Sequence, residues 1–204
     1  GKIAYPKSRS LVRAPTNFDV NAVDASMFPP DANLVLRHVF GYDGGSKCTS
    51  QNLFVTGDQT VVVFVAAAVG VVHDTVSKKQ RHFLGHTGTI TCLTMCDSSV
   101  TYKGVTYPPR TLCATGQTIA RNQGQGGDTS WEGKENASGN TQSQCPFVAV
   151  WDVRTLQEIT RVPLARDTQS VAAVAFSTDG NLLTTVGNDA HHTVQVWDWR
   201  VDDV

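Results

Sequence analysis

The sequence predicts an all-β protein, on three observations. Val and Thr, stiff at χ1 and suited to a pleated surface, recur throughout its 204 residues. Gly, Pro, Asn and Asp punctuate the chain at short intervals, as turns between short strands require. No long run carries apolar residues at i, i+3, i+4 and i+7, and the best helical stretch, 153–162, is short and stops at Pro163.

The strand segments follow in order. LVLRHVF (34–40) alternates and opens the ordered part of the chain, after the Pro29-Pro30 pair. Residues 52–55 lead into a turn at Gly57-Asp58. The twelve residues 61–72, VVVFVAAAVGVV, carry no polar side chain. TITCLTMC (89–96), TLCAT (111–115), FVAVWDV (147–153) and 156–164 come next. The set then restarts with VAAVAF (171–176), NLLTTV (181–186) and TVQVWDW (193–199).

The apolar run needs its own account. It is too short to span a bilayer, which takes about 20 apolar residues. It also lies too far from the N-terminus for a secretion signal. Two strands, 61–66 and 69–73, with a tight turn at Ala67-Ala68 explain it, because strands covered on both faces read as continuous apolar runs. A single buried helix is the alternative, and the branching of valine weighs against it.

Charged residues make up 17% of the chain, below the roughly 25% of an average globular protein, and the net charge is −1. That balance gives no reason to expect nucleic acid. One asymmetry stands out: residues 1–13 hold Lys2, Lys7, Arg9 and Arg13 and no acid, within a sparse leader, 1–33, expected to be mostly disordered. Cys48, Cys92, Cys96, Cys113 and Cys145 are odd in number and irregularly spaced, which with no secretion signal points to reduced thiols in a cytoplasmic protein. Cys92 and Cys96, four apart, fall on one strand face.

FVAVWDV and TVQVWDW are one segment repeated. Trp151 and Trp197 stand 46 residues apart, each behind two further apolar segments. A period of roughly 40–45 residues closed by Trp-Asp marks four-stranded propeller blades. The residues resemble the WD-repeat propellers, with Gly85-His86 where that family places its Gly-His pair and Trp-Asp at 151–152 and 197–198. The region around the apolar run is more specific. LVLRHVFGYDGGSKCTSQN (34–52) and AAAVGVVHDTVSKKQRHFLGH (66–86) are similar to the hydrophobic motif that precedes the propellers of the echinoderm microtubule-associated protein-like family. The matching features are Val39-Phe40-Gly41-Tyr42-Asp43-Gly44, Cys48, Asn52, Gln80-Arg81 and Gly85-His86, joined by Ala114-Thr115-Gly116-Gln117 and Val196-Trp197-Asp198-Trp199. The likeness covers about residues 31–204.

The resemblance implies a non-enzymatic scaffold, associated with tubulin and microtubules in cilia, flagella or the spindle, built on joined propellers and without cofactors. It also implies hydrogen-bonded structural positions. His86, Thr115, Trp151 and Asp152 match in the middle unit, and Thr185, Asp189, Trp197 and Asp198 in the last. The middle unit lacks the turn aspartate, the last lacks the histidine, and His73-Asp74 stands where Trp-Asp is expected in the first. The set is therefore expected to be incomplete in every blade. The family's trimerising coiled coil has no counterpart in 1–30, which hold no heptads.

Residues 117–145, rich in Gly, Gln, Asn, Ser and Thr, cannot bury enough surface to offset their ordering entropy and are expected to form a disordered insertion. Trp131 within them is a candidate partner anchor beside Lys2, Lys7, Arg9 and Arg13. Gly124-Gln125-Gly126-Gly127 lacks the Lys-Ser/Thr of a phosphate loop. His191-His192 has no partner pattern for zinc, and a hydrolase or metalloenzyme built on that pair is the reading from another class. Asn136-Ala137-Ser138 fits a glycosylation acceptor that would matter only in a secreted protein.

Three units are counted, at 34–84, 85–164 and 165–204, the last possibly truncated. A closed propeller takes about four to eight blades. The ring is thus expected to be incomplete, in a piece of a longer protein or one whose open edges meet a second copy by oligomerisation or strand exchange. The expected location is the cytoplasmic cytoskeleton, with tubulin or microtubules as partner. A general WD-repeat adaptor that ignores tubulin is the alternative, and neither nucleic acid nor membrane is expected.

Overall fold

A computed structural model describes residues 2–4, 11–13, 35–42, 52–119, 145–165 and 167–201. Among these residues every regular element is a strand and every strand pair is antiparallel, as the composition predicts. The chain forms two compact units, Gly1–Val35 and Leu36–Val204.

In the first unit β1 (Lys2–Ala4) pairs with β2 (Leu11–Arg13), with Lys2 opposite Arg13 and Ile3 opposite Val12. Of the leader expected to be mostly disordered, 1–33, these six residues form a two-stranded pair, with strand-favouring Ile3 and Val12 at its centre, and the rest lies outside the described residues.

The second unit holds three blade-like sheets. The first runs β3 (Leu53–Val55), β4 (Val61–Ala66), β5 (Val69–Asp74), β6 (Gln80–Phe83) in spatial order. The apolar run is thus a hairpin, and it turns where expected, with Ala67 at φ 51°. The second sheet is built from β7 (Ile90–Met95), β10 (Leu112–Gln117), β11 (Phe147–Asp152) and β12 (Glu158–Pro163). Its turn between β7 and β10 carries a small hairpin, β8 (Val100–Tyr102) and β9 (Val105–Tyr107). The third has β13 (Val171–Phe176), β14 (Leu183–Gly187) and β15 (Val194–Trp197). Residues 153–162, the best helical stretch, contribute to β12 instead.

Two cores join these sheets face to face. Val63, Val65 and Val72 of the first blade pack with Leu93, Met95, Cys113 and Trp151 of the second. Cys92, Cys96, Val148 and Val150 of the second pack with Val171, Val174 and Leu183 of the third. Backbone approach is close at both seams. A Cβ on Gly70 would lie 3.2 Å from the Trp151 ring, and one on Gly116 would lie 2.6 Å from Val171 Cβ. The Ile90 N–H donates to the Ala67 carbonyl at 2.8 Å, and the Thr91 hydroxyl to the Val171 carbonyl at 2.5 Å.

The ring does not close. On the far side of the third blade, register aligns Ala173, Val186 and Val194 on one face with Ala175, Thr184 and Val196. Val194 and Val196 there are 63% and 62% exposed. β15 has no outer neighbour among the described residues.

The segment predicted as the first strand, 34–40, is not one; its described residues, 35–40, lie outside any ladder. The side chain of Gln80 takes its place as partner, accepting from the Val39 N–H at 2.7 Å and donating to the Val39 carbonyl at 3.2 Å. Around that clamp His38 meets the His73 ring edge-on at 6.4 Å and Tyr42 meets Phe64 at 6.1 Å. His73 pairs with Val62 and Phe64 with Val71, so these residues share the sheet face opposite the one packed on the second blade. The segment therefore lies over the face that a preceding blade would cover in a longer array.

Candidate functional site

The positions singled out by the repeat converge in the middle blade. Register sets Trp151 of β11 opposite Cys113 of β10. Thr115 and Gln117, two and four residues further along β10, then share that face. His86 enters from the loop between β6 and β7. Its Nε2 lies 2.6 Å from Thr115 Oγ1, its Nδ1 lies 2.8 Å from Gln117 Oε1, and the Trp151 indole N–H donates to Thr115 Oγ1 at 3.0 Å.

The proton positions follow from the donors. Gln117 Oε1 also receives the N–H groups of Thr87, at 3.1 Å, and Gly88, at 3.3 Å, so it is the acceptor and His86 Nδ1 carries the proton. Nε2 then accepts from the Thr115 hydroxyl, which accepts from Trp151. The amide nitrogen of Gln117 donates to the Thr87 hydroxyl at 3.2 Å.

Aromatic rings hold the histidine in place. His86 stacks on Phe147 at 5.2 Å and meets Phe83 edge-on, while Phe83 stacks on Trp151 at 4.6 Å. The Arg161 guanidinium caps Phe147 at 4.0 Å. Burial is the main reason His86 titrates at about 4 rather than 6.5; the Gln117 bond opposes that shift. A neutral imidazole with both nitrogens bonded and 7% exposed braces the blade and has no free lone pair for chemistry.

The expected incompleteness thus fails in the middle blade, where Gln117 stands in for the missing aspartate. The signal was available in Ala114-Thr115-Gly116-Gln117, since a polar residue two beyond the threonine shares its face.

The other blades carry less of the set. In the third, the Trp197 indole donates to Thr185 Oγ1 at 3.0 Å. Asp189 stays apart from that pair and closes its own turn, accepting from the His191 N–H at 2.9 Å and the Thr193 hydroxyl at 3.0 Å. In the first, His73 and Phe64 occupy the tryptophan and threonine places by register, and His73 Nδ1 is buried without a partner. Tyr42 contributes instead from the overlying segment, its hydroxyl donating to Asn52 Oδ1 at 2.5 Å.

The Trp-Asp aspartates do one job. Asp152 accepts from the Arg154 N–H at 2.7 Å and from its guanidinium at 3.1 Å. Asp198 does the same with Arg200, at 3.2 and 3.0 Å. The bond from the Arg200 side chain holds the Asp198 carboxyl below its ordinary value. Each pair locks the turn after a blade's third strand, and the shared arginine of WDVR and WDWR is a repeat that the sequence reading passed over. Asp74 closes the matching turn of the first blade through the Ser77 hydroxyl at 2.7 Å.

Of the candidate partner contacts, Lys2 and Arg13 are register partners in the β1–β2 pair. Lys7, Arg9 and Trp131 lie outside the described residues. His191 and His192 are exposed in a turn, and among the described residues no group of three or more His, Cys, Asp or Glu could hold a metal ion. Cys92, Cys96 and Cys113 are buried outside any disulfide, and burial pushes Cys113 well up from its ordinary value. No helix of the described residues is long and apolar enough to cross a membrane.

Stacked antiparallel sheets with a histidine-threonine-tryptophan brace define a WD-repeat chain, and the family described as WD domain, G-beta repeat matches residues 160–198. The curated homologues are echinoderm microtubule-associated protein-like proteins, in keeping with the resemblance read from the motifs. Echinoderm microtubule-associated protein-like 2 of Rattus norvegicus is 32% identical over 83% of this chain and 22% of its own length. Echinoderm microtubule-associated protein-like 1 of Homo sapiens is 27% identical over 91% and 19%, and the Xenopus laevis protein-like 4 is 28% identical over 84% and 15%. The chain thus spans about a fifth of the length of these relatives.

Proposed function

We propose that this chain is part of a non-enzymatic WD-repeat scaffold of the microtubule cytoskeleton, in the cytoplasm and in cilia or flagella. The observation that carries the reading is the similarity to echinoderm microtubule-associated protein-like proteins along 83% of the chain. A brace whose polar groups are spent on one another agrees with a rigid platform for binding. Lys2, Lys7, Arg9 and Arg13 add a basic segment suited to an acidic tubulin surface. Co-pelleting with polymerised microtubules across a salt series tests this. Binding at low salt that weakens with added salt supports it, and a folded protein that stays in the supernatant at low salt refutes it.

A second reading is a general adaptor, and the uncovered face of the third blade favours it. Val194 and Val196 there present apolar surface to a protein partner, a further blade or a second copy. Sedimentation of the isolated chain distinguishes self-association from a monomer.

A further inference from the structure

We propose that the cleft between the first and second blades, at the end that carries Thr56–Asp58, binds a short acidic peptide segment. The cleft encloses about 360 Å³, at the lower end of ligand-sized sites. Its apolar surface comes from Val61 and Val153 and from the Pro108-Pro109 pair, which is rigid without ordering cost. Three arginines line it, Arg81, Arg110 and Arg154, with Asp58 as the single acidic residue of the lining.

The arginines are not equivalent. Arg110 pairs with Asp97 at 2.8 Å and Arg154 with Asp152 at 3.1 Å. Arg81 has no carboxylate partner among the described residues. Its Nη1 donates to the Arg154 carbonyl at 2.5 Å and its Nη2 to the Val153 carbonyl at 3.2 Å. Those bonds fix an exposed guanidinium in the cleft and leave its charge uncompensated. Asp58 lines the same cleft and stays ionised, but it makes no ion pair with Arg81 among the described residues; its carboxylate accepts from the Thr56 hydroxyl and the Thr60 N–H. A fixed fork of N–H donors beside apolar walls suits a carboxylate with an apolar neighbour, and a planar guanidinium takes such a carboxylate with two parallel bonds. The proposal goes beyond the scaffold reading and holds whether or not the partner is tubulin.

The probe is a fluorescein-labelled nonapeptide of alternating Glu and Leu, with a Gln-for-Glu copy as control, followed by fluorescence anisotropy on the 204-residue chain. The expected result is saturable binding of the Glu peptide that weakens with salt, and no binding of the Gln peptide. Arg81→Gln is expected to weaken it by about tenfold or more, the scale of one lost charge-assisted pair. Because Arg81 also ties the two blades together, Pro109→Glu serves as a second variant. It places a carboxylate at the cleft mouth, leaves the Arg81 bonds intact and is expected to weaken binding as much. Arg37→Gln, on the segment over the opposite face of the first blade, is expected to bind like the parent. Unchanged binding in both cleft variants, or equal loss with Arg37→Gln, overturns the proposal. Microtubule co-pelleting of the same variants separates the two readings. Peptide binding that depends on Arg81 without co-pelleting keeps the cleft and ends the tubulin reading. Co-pelleting without peptide binding keeps the tubulin reading and ends the cleft.

Discussion

Replacing Thr115 by Val tests the brace at its centre. The two side chains have nearly the same shape, so the change removes a hydroxyl without opening a cavity. It leaves two buried groups without partners: the Trp151 indole N–H, now bonded at 3.0 Å, and His86 Nε2, at 2.6 Å. Trp151 and Thr115 are fully buried, so water cannot replace either bond. Each stranded group costs about 1–3 kcal/mol, partly offset by no longer burying the hydroxyl, for a net loss of about 3 kcal/mol. Thr185→Val is the matched control. It strands only the Trp197 indole, whose ring is half-buried, and is expected to cost about 1 kcal/mol. Urea unfolding followed by tryptophan fluorescence reads the difference as a shift in midpoint at unchanged slope. A Thr115→Val loss no larger than that of Thr185→Val refutes the two-bond brace.

Three further outcomes follow from the same geometry. His86 titrates at about 4 in the folded chain against 6.5 ordinarily, so the unfolded chain binds more protons between those values. Stability is therefore full above about pH 6.5 and falls by on the order of 3 kcal/mol as the pH drops toward 4, and urea midpoints across that range check it. The carboxyls of Asp74 and Asp198, held low by bonds from Ser77 and Arg200, lose their contribution only below about 3.8, outside that window. Gln117→Glu keeps the reach to His86 Nδ1 and adds a charge, so the His86 value is expected to rise toward its ordinary one in an NMR titration; an unmoved value contradicts the contact. Gly116→Ala forces a Cβ to within 2.6 Å of Val171 and 2.7 Å of the Cys92 sulfur, and is expected to cost about 1–3 kcal/mol by wedging the second and third blades apart in the same urea assay.

The strands of the first two blades were legible because both of their faces are covered. Val61–Ala66 and Val69–Asp74 read as an unbroken apolar run for that reason, and Val171–Phe176 appears in the structure with the bounds read from sequence. One misreading turned on a partner distant in sequence. Residues 34–40 alternate like a strand, yet the side chain of Gln80, some forty residues away, replaces the ladder over Val39. The β8–β9 hairpin was missed although Val-Thr-Tyr flanks Lys103-Gly104 on both sides, and both turn residues have positive φ, at 49° and 76°, as a tight two-residue hairpin needs. At the brace, Thr115 and Trp151 were visible from the repeat. Gln117 was legible only as a polar residue on the threonine's face; its aspartate-like task shows once His86, Thr87 and Gly88 are seen around it.

The central claim is that the apolar run is a hairpin sealed between an overlying segment and the second blade. Hydrogen exchange measured peptide by peptide tests it most directly. Amides of Val61–Ala66 and Val69–Asp74 are expected to be among the slowest in the chain, comparable with Leu112–Gln117 and Phe147–Asp152, while those of the exposed turn at 57–60 exchange fast. Exchange of the run as rapid as that turn, or protection confined to one of its two halves, contradicts the stacked-blade architecture.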